Sequence, residues 1–258
     1  MLSTRDVRRK IQSVRNIEQI CRAMRTVASV KLRRAQAQIR GARPYADKMA
    51  GILAALGALE MEHPLLAVRP VRTTGIIPIS ADRGLCGAYN ANVARAVVTS
   101  VIRVPHAELI PLGRKVSDFC RRAGYTVRDR LSPLGEEPAF GTVARMADHA
   151  AQLYTRGEWD AVELVYTRFL TGRQPQVVSE LVLPLTPPEG EKQEFIYEPS
   201  APALVDELLP RFIRTRIWTA VLDAAASEHA ARVTAMSLAT DNATDLIESL
   251  TLEYNKAR

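Results

Sequence analysis

The residues best placed to do chemistry lie between 80 and 90. There Ser80-Ala81-Asp82-Arg83-Gly84-Leu85-Cys86-Gly87 follows an apolar run, Gly75-Ile76-Ile77-Pro78-Ile79, and precedes a helical pattern. Strand, glycine-bearing turn and helix in that order make a place where backbone N–H groups can cradle a phosphate. The likeness to a phosphate site stops there, because neither GxxxxGK followed by Ser or Thr nor GxGxxG occurs in the chain. On the residues alone the stretch reads more readily as a structural turn whose glycines supply positive φ. Nothing else assembles into a catalytic or metal-binding set. The histidines at 63, 106, 149 and 229 are scattered, and Cys21, Cys86 and Cys120 form neither a CxxC pair nor an even framework. That usage fits a reducing compartment and points away from structural disulfides and zinc. No cofactor and no metal are expected.

Charge supplies a different chemistry. Residues 1–43 hold twelve Lys and Arg against two acids, Asp6 and Glu18, a net of +10. The whole chain is +7, so everything after Arg43 sums to 7 − 10 = −3 and the basicity belongs to this segment. Arg8, Arg9, Arg33 and Arg34 are candidates, on charge alone, for holding an acidic partner. In the same segment the apolar positions Val7, Ile11, Val14, Ile17, Cys21, Met24 and Ala28 cover 21 residues in six steps, a mean of 3.5. That is the repeat of a helix supercoiling around a partner helix.

Three other readings compete. A charge run on a helix is by itself a solvated face. A basic helix also suits nucleic acid phosphates, but this one lacks interleaved aromatics, and its apolar seam demands a protein partner. An Arg-rich, acid-poor N-terminus also resembles a mitochondrial presequence, although a removable segment has no need of a sustained coiled-coil repeat.

The elements that must position these residues follow from patterning. The first helix is expected over about 3–59, running through the Gly41-Ala42-Arg43-Pro44 interruption, a point of bending. At 1.5 Å per residue its ~55 residues span about 80 Å, too long to pack inside one small domain. From 73 the pattern alternates between strands (75–80, 107–112, 125–128 and a hairpin over 160–183) and helices (92–102, capped by Asn92, 115–123 and 142–155). Pro78 suggests that its strand is an edge or carries a bulge. Alternating elements make a layered α/β unit. Residues 195–199 read as a short strand and 203–209 as a short helix ending at Pro210. A second long helix is expected over 211–258, with Val233, Met236, Ala239, Ala243, Leu246, Leu250 and Tyr254 as its seam. The two long helices pair antiparallel and bring both chain ends together. No apolar run exceeds residues 49–59, short of the ~20 that a spanning helix needs, so no direct membrane insertion is expected.

Several stretches carry a resemblance. Thr4-Arg5-Asp6-Val7-Arg8-Arg9-Lys10-Ile11-Gln12-Ser13-Val14 and Lys31-Leu32-Arg33-Arg34-Ala35-Gln36 are similar to the N-terminal helix of the gamma subunit of F-type ATP synthases. So are Ser80 to Gly87 with Asn90 in the middle of the chain. Near the C-terminus, Ala226-Ser227-Glu228-His229-Ala230-Ala231-Arg232, Ala239-Thr240-Asp241-Asn242-Ala243 and Tyr254-Asn255-Lys256-Ala257-Arg258 follow in order. The resemblance begins at the third residue, which leaves no room for a presequence. Family members normally continue past Arg258 with a further helical segment.

The resemblance implies an α/β fold class: a long antiparallel coiled coil of N- and C-terminal helices with an inserted Rossmann-like α/β domain. The expected division is 1–63 and 200–258 for the shaft and 64–199 for an α/β foot. It implies a non-catalytic rotor subunit, binding no nucleic acid. Its partners would be the alpha and beta subunits of the catalytic hexamer, the epsilon subunit and the membrane c-ring. The complex would sit at the cytoplasmic face of the bacterial membrane. Met24 and Arg25 match a shaft position facing an acidic loop of beta, and Asp82, Arg83, Gly84, Leu85 and Cys86 match a second beta contact. Arg258 matches a residue gripping beta higher up. Tyr197 and Glu198 match a feature on the c-ring and epsilon side. The cysteine pair that chloroplast relatives use is absent, so no thiol switch is expected. The rival from another class is a nucleotide-binding α/β enzyme with a coiled-coil dimerisation arm.

Overall fold

The computed structural model describes residues 4–57, 62–170, 174–186 and 200–257. Helix α1, Thr4–Gly57, is unbroken through Pro44. Its buried positions Val7, Val14, Cys21, Ala28 and Ala35 recur every seventh residue, which keeps one stripe facing a supercoiled partner. That partner is α5, Ala201–Ala257. Val7 and Val14 cluster with Ala243 and Leu250, and Ala35 and Ile39 cluster with Leu222 and Ala226, so the two helices run antiparallel.

Two seam positions expected from spacing lie off the seam. Ile17 is 52% exposed and Leu246 is 42% exposed. On α1 the seven-residue repeat turns Glu18 toward the covered side instead, where its carboxylate meets Arg22 at 2.6 Å. On α5 the covered neighbour of Ala243 is Ile247, four residues on, with Leu250 and Tyr254 following. Spacings of three and four both fit an apolar stripe, and only the crossing of the two helices decides between them.

Between the long helices lies a four-stranded sheet in the order β2-β1-β3-β4. It is built from β1 (Thr73–Pro78), β2 (His106–Leu109), β3 (Ala161–Arg168) and β4 (Gln176–Leu183). β1 is parallel to both neighbours, and β4 returns antiparallel along β3. Helices α2 (Tyr89–Arg103) and α3 (Arg114–Arg122) cover one face around Ile76, Val93, Leu109 and Val165. On the other face α4 (Phe140–Thr155) and the first half of α5 enclose Ile77, Leu112, Leu164 and Ile217. A sheet covered on both faces buries its central strands along their whole length, and β3 is buried from Ala161 to Thr167. Glu163 within it is tolerated because Ser100 donates to it at 2.8 Å and Arg103 at 2.7 Å.

Pro78 sits in an interior strand, not at an edge. As the last residue of β1 it contributes its carbonyl to Leu112 N–H at 2.8 Å, and the next residue, Ile79, donates to Val165 at 2.8 Å. The ladder therefore loses one donor at its end and nothing in its middle. Residues 125–128 join the sheet only by one isolated bridge, Leu109 to Val127. Asn92 lies inside α2 and caps nothing; the helix starts at Tyr89. Pro210 does not end a helix either, for α5 runs through it. An interior proline costs about 3 kcal/mol, and Leu209 and Ile213 on either side are packed into the foot's core, which offsets it. Gly75 is dictated by packing, since a Cβ there would lie 2.0 Å from the Trp159 ring. The residues expected as a strand over 195–199, and the hairpin turn at 171–173, fall outside the described residues.

Candidate functional site

The loop after β1 is held from inside by its own polar groups. The Asp82 carboxylate accepts from Arg114 N–H at 2.8 Å and Leu134 N–H at 3.1 Å through Oδ1, and from Gly135 N–H at 2.8 Å through Oδ2. Ser80 Oγ accepts from Val116 N–H at 2.8 Å in the first turn of α3. Asn90 reaches back from α2: Oδ1 accepts from Ala81 N–H at 3.2 Å, and Nδ2 donates to the Arg83 carbonyl at 3.3 Å. Gly113 lets α3 approach, because its φ is +101° and a Cβ would stand 2.1 Å from the Ser80 carbonyl. The polar side chains of the loop, Ser80, Asp82 and Asn90, thus serve the fold, as does the Ala81 N–H.

The same loop is fastened to α5. Arg232 donates to the Gly84 carbonyl at 3.1 Å and pairs with Glu228 at 2.7 Å, while Tyr89 Oη donates to the Ala224 carbonyl at 3.1 Å. Ala81, Cys86 and Tyr89 pack with Ala231. Burial pushes the Cys86 thiol up and the Tyr89 hydroxyl well up, so neither is an activated nucleophile at neutral pH. Burial raises Glu228, against the pull of Arg232. His229 falls to about 4 through burial and the neighbouring Arg232 cation, which leaves it neutral.

What this frame presents outward is short. Arg83, Gly84 and Leu85 are exposed, whereas Asp82 is half-buried and Cys86 is buried. Leu85 is 62% exposed, and its φ is +62°. That backbone region is unfavourable for a branched side chain and persists only where the surroundings impose it. Across from the loop on α1, Met24 and Arg25 are half-buried. Met24, Val27 and Lys31 line a cavity of about 350 Å³ that the loop and α5 close from the other sides. The structure thus brings Met24 and the loop together across one cavity. Arg8 and Arg9 are exposed in the first turns of α1, beside the Val7 and Leu250 end of the coil and away from that cavity. Arg33 is exposed, and Arg34 pairs within the chain with Glu137 at 3.3 Å. Arg258, Tyr197 and Glu198 lie outside the described residues.

Several residues of the surface were not singled out from sequence. Lys31 pairs with Glu136 at 2.6 Å, and Arg83 approaches the same carboxylate at 3.5 Å. Lys31 was findable, being seven residues after Met24 on the same helix face. Glu136 and Arg232 were not, since only the fold brings them to residue 31 and residue 84. Among the described residues no group of three or more His, Cys, Asp or Glu suits a metal ion, and no helix is long and apolar enough to cross a membrane.

Comparison with known proteins agrees with this architecture. A family model described as ATP synthase matches residues 3–258. The ATP synthase gamma chain of Pelotomaculum thermopropionicum is 44% identical over 266 residues, covering 100% of this chain and 93% of that one. That of Heliobacterium modesticaldum is 40% identical over 271 residues, with the same coverage of 100% and 93%. Among solved structures, the rotor of the Euglena gracilis mitochondrial ATP synthase superposes with a TM-score of 0.74 at 20% identity, covering 99% of this chain and 97% of that one. The central stalk and c-ring structure from Tetrahymena thermophila gives 0.64 at 22% identity, covering 85% of this chain and 99% of the other. These two establish likeness of fold, and the family rests on the sequence matches. On those matches, the chain belongs to the ATP synthase gamma-chain family.

Proposed function

We propose that this chain is the shaft that couples rotation of a membrane c-ring to conformational change, and so to ATP synthesis or hydrolysis, in catalytic beta subunits. The observation that carries the reading is the loop over residues 80–90, fixed at once to the sheet, to α3 and to α5. A push on Arg83 or Leu85 is therefore delivered to α5, and through its packing to α1, instead of being absorbed by a mobile turn. Coupling requires such a stiff element, whose contacts favour different beta conformations at different rotation angles.

In this reading 1–63 and 200–258 form the shaft and 64–199 the foot, with the first turns of α5 also serving the foot's core. Met24, Arg25 and the outward side of Asp82 to Cys86 meet beta, as does Arg258 higher up. Arg8, Arg9 and Arg33 supply general positive charge toward acidic loops of the alpha and beta subunits. Tyr197 and Glu198 belong to the side that meets epsilon and the c-ring, at the cytoplasmic face of a bacterial membrane. Exposed charge pairs suit a contact that must be made and released at every turn, being individually worth about 0–1 kcal/mol. The chain carries no catalytic group of its own in this mechanism. Replacing Met24 by Lys in the assembled enzyme tests the reading, since it sets a long cation against carboxylates that must let go. Proton pumping per ATP hydrolysed should fall while the melting temperature stays near that of the parent; unchanged pumping would contradict it.

A further inference from the structure

A strap over residues 134–138 crosses from the loop to α1 and roofs the cavity beneath Met24 with Leu134, Gly135, Glu136 and Pro138. Its place is set by the Asp82 carboxylate, which holds the Leu134 and Gly135 N–H groups at 3.1 and 2.8 Å. Its two acids then reach outward to the cations of the surface. Glu136 takes Lys31 at 2.6 Å and Arg83 at 3.5 Å, and Glu137 takes Arg34 at 3.3 Å. We propose that Glu136 and Glu137 are an internal stand-in for an acidic segment of a partner protein, which engages Lys31, Arg34 and Arg83 by displacing them.

Three features carry this. Because Asp82 anchors the strap through its backbone, the two glutamates can release their cations without the strap leaving its seat. Most of the paired groups lie open for exchange: side-chain exposure is 58% at Glu136, 74% at Glu137, 71% at Arg34 and 75% at Arg83, with Lys31 more covered at 31%. The structural pair in the foot differs sharply, with Glu163 only 9% exposed beneath Arg103. Exposed pairs contribute about 0.2–1 kcal/mol each, little enough for an incoming carboxylate to replace. Glu136 is also a fair mimic, since the hydrogen bond from Lys31 holds its carboxyl below the ordinary range and keeps it ionised. Beneath the cationic rim lies an apolar wall of Met24, Val27 and Leu134. The fit is to an acidic segment that also carries an apolar side chain. Exchange of like for like gives a contact that forms and releases with a small net change in energy, whereas bare cations would hold an acidic segment more tightly.

The inference rests on the reading that this surface meets an acidic region of beta, and the test separates the two. The full chain and its Glu136→Gln/Glu137→Gln variant are titrated against a hexamer of the alpha and beta subunits of the same organism, at low and at high salt. Removing the competing carboxylates should tighten binding by about fivefold at low salt, and the gain should shrink at high salt as the charges are screened. Adding Lys31→Gln and Arg83→Gln to the variant should abolish the gain, and a thermal melt of each chain verifies that the fold is kept. If the parent binds but the double glutamine variant binds equally or more weakly, exchange is wrong and the reading of the surface stands. If the parent does not bind the hexamer at all, both fall.

Discussion

At the foot, Ile77, Leu112, Leu164 and Ile217 are shut off from water between a sheet and two helices. At the far end of the coil the buried apolar cluster among the described residues is Val7, Val14, Ala243 and Leu250, with Ile11, Ile247 and Tyr254 partly covering them. Nearby apolar side chains stay in solvent there: Ile17, Ile20, Leu246 and Leu252 are between 42% and 63% exposed. The same helices are thus core elements at one end and a thin two-helix seam at the other. Two helices facing each other bury one stripe each, while a sheet between helices buries both of its faces. The foot, completed by the first half of α5, holds a closed core, and the far end leaves apolar side chains in solvent.

The contrast is broken most severely from the foot. Trp159 is fully buried, and its indole N–H donates to Glu108 at 2.7 Å. Trp159→Ala is expected to cost about 4 kcal/mol through the cavity it leaves, lowering the melting temperature of the sheet and of α5 together in a thermal melt followed by circular dichroism. A melt with the parent midpoint would mean that the foot is not the stable unit.

At the far end the corresponding change should act locally. Leu250 is 4% exposed within the small terminal cluster, so Leu250→Ala is expected to cost about 2 kcal/mol. Helix ends open independently of the core. Amide exchange should therefore quicken over residues 243–257 while the foot keeps its protection. Uniform loss of protection across both regions would show that shaft and foot form one cooperative unit.

What was legible in the sequence divides along the same line. The seven-residue recurrence of Val7, Val14, Cys21, Ala28 and Ala35 is written in residue type, and so is the alternation of strands and helices in the foot. The choice between Ile17 and Glu18, or between Leu246 and Ile247, depends on how the two helices wind, and residue type does not record it. Pro210 misled because local propensity favours a break where packing of Leu209 and Ile213 against the foot overrides it. Asp82 was legible as part of a distinctive loop, but its carboxylate binds the chain's own N–H groups, a role that requires knowing that residues 114 and 134–135 arrive beside it. The strap glutamates were illegible for the same reason: Arg83 lies 53 residues from Glu136 along the chain, and Arg34 lies 103 from Glu137.

The smallest expected effect lies at the border between the two regions. Burial pushes the Asp223 carboxyl of α5 from its ordinary 3.8 up to about 6, against the pull of Arg168 and Arg43. The folded state therefore holds this proton more tightly than the unfolded chain. Its contribution to stability is fully present below pH 3.8 and is lost as pH rises through about 6. Allowing for the partial exposure of the group, the loss amounts to about 1 kcal/mol between acid and neutral pH. Asp223→Asn should remove that dependence and be slightly more stable than the parent at pH 7, as urea unfolding at both pH values would measure. A variant less stable at pH 7 would show instead that the ionised carboxylate is a net support for the neck of the shaft.

The proposed rotation is that of one stiff body, the whole chain turning inside the catalytic ring. Its most direct test attaches a bead to an exposed site on the foot, far from the loop and strap, with the chain assembled into a surface-fixed hexamer of alpha and beta subunits and supplied with ATP. Steady rotation of the bead in one direction is expected for as long as ATP is hydrolysed. A bead that stays still or only jitters while the fixed complex hydrolyses ATP would contradict it.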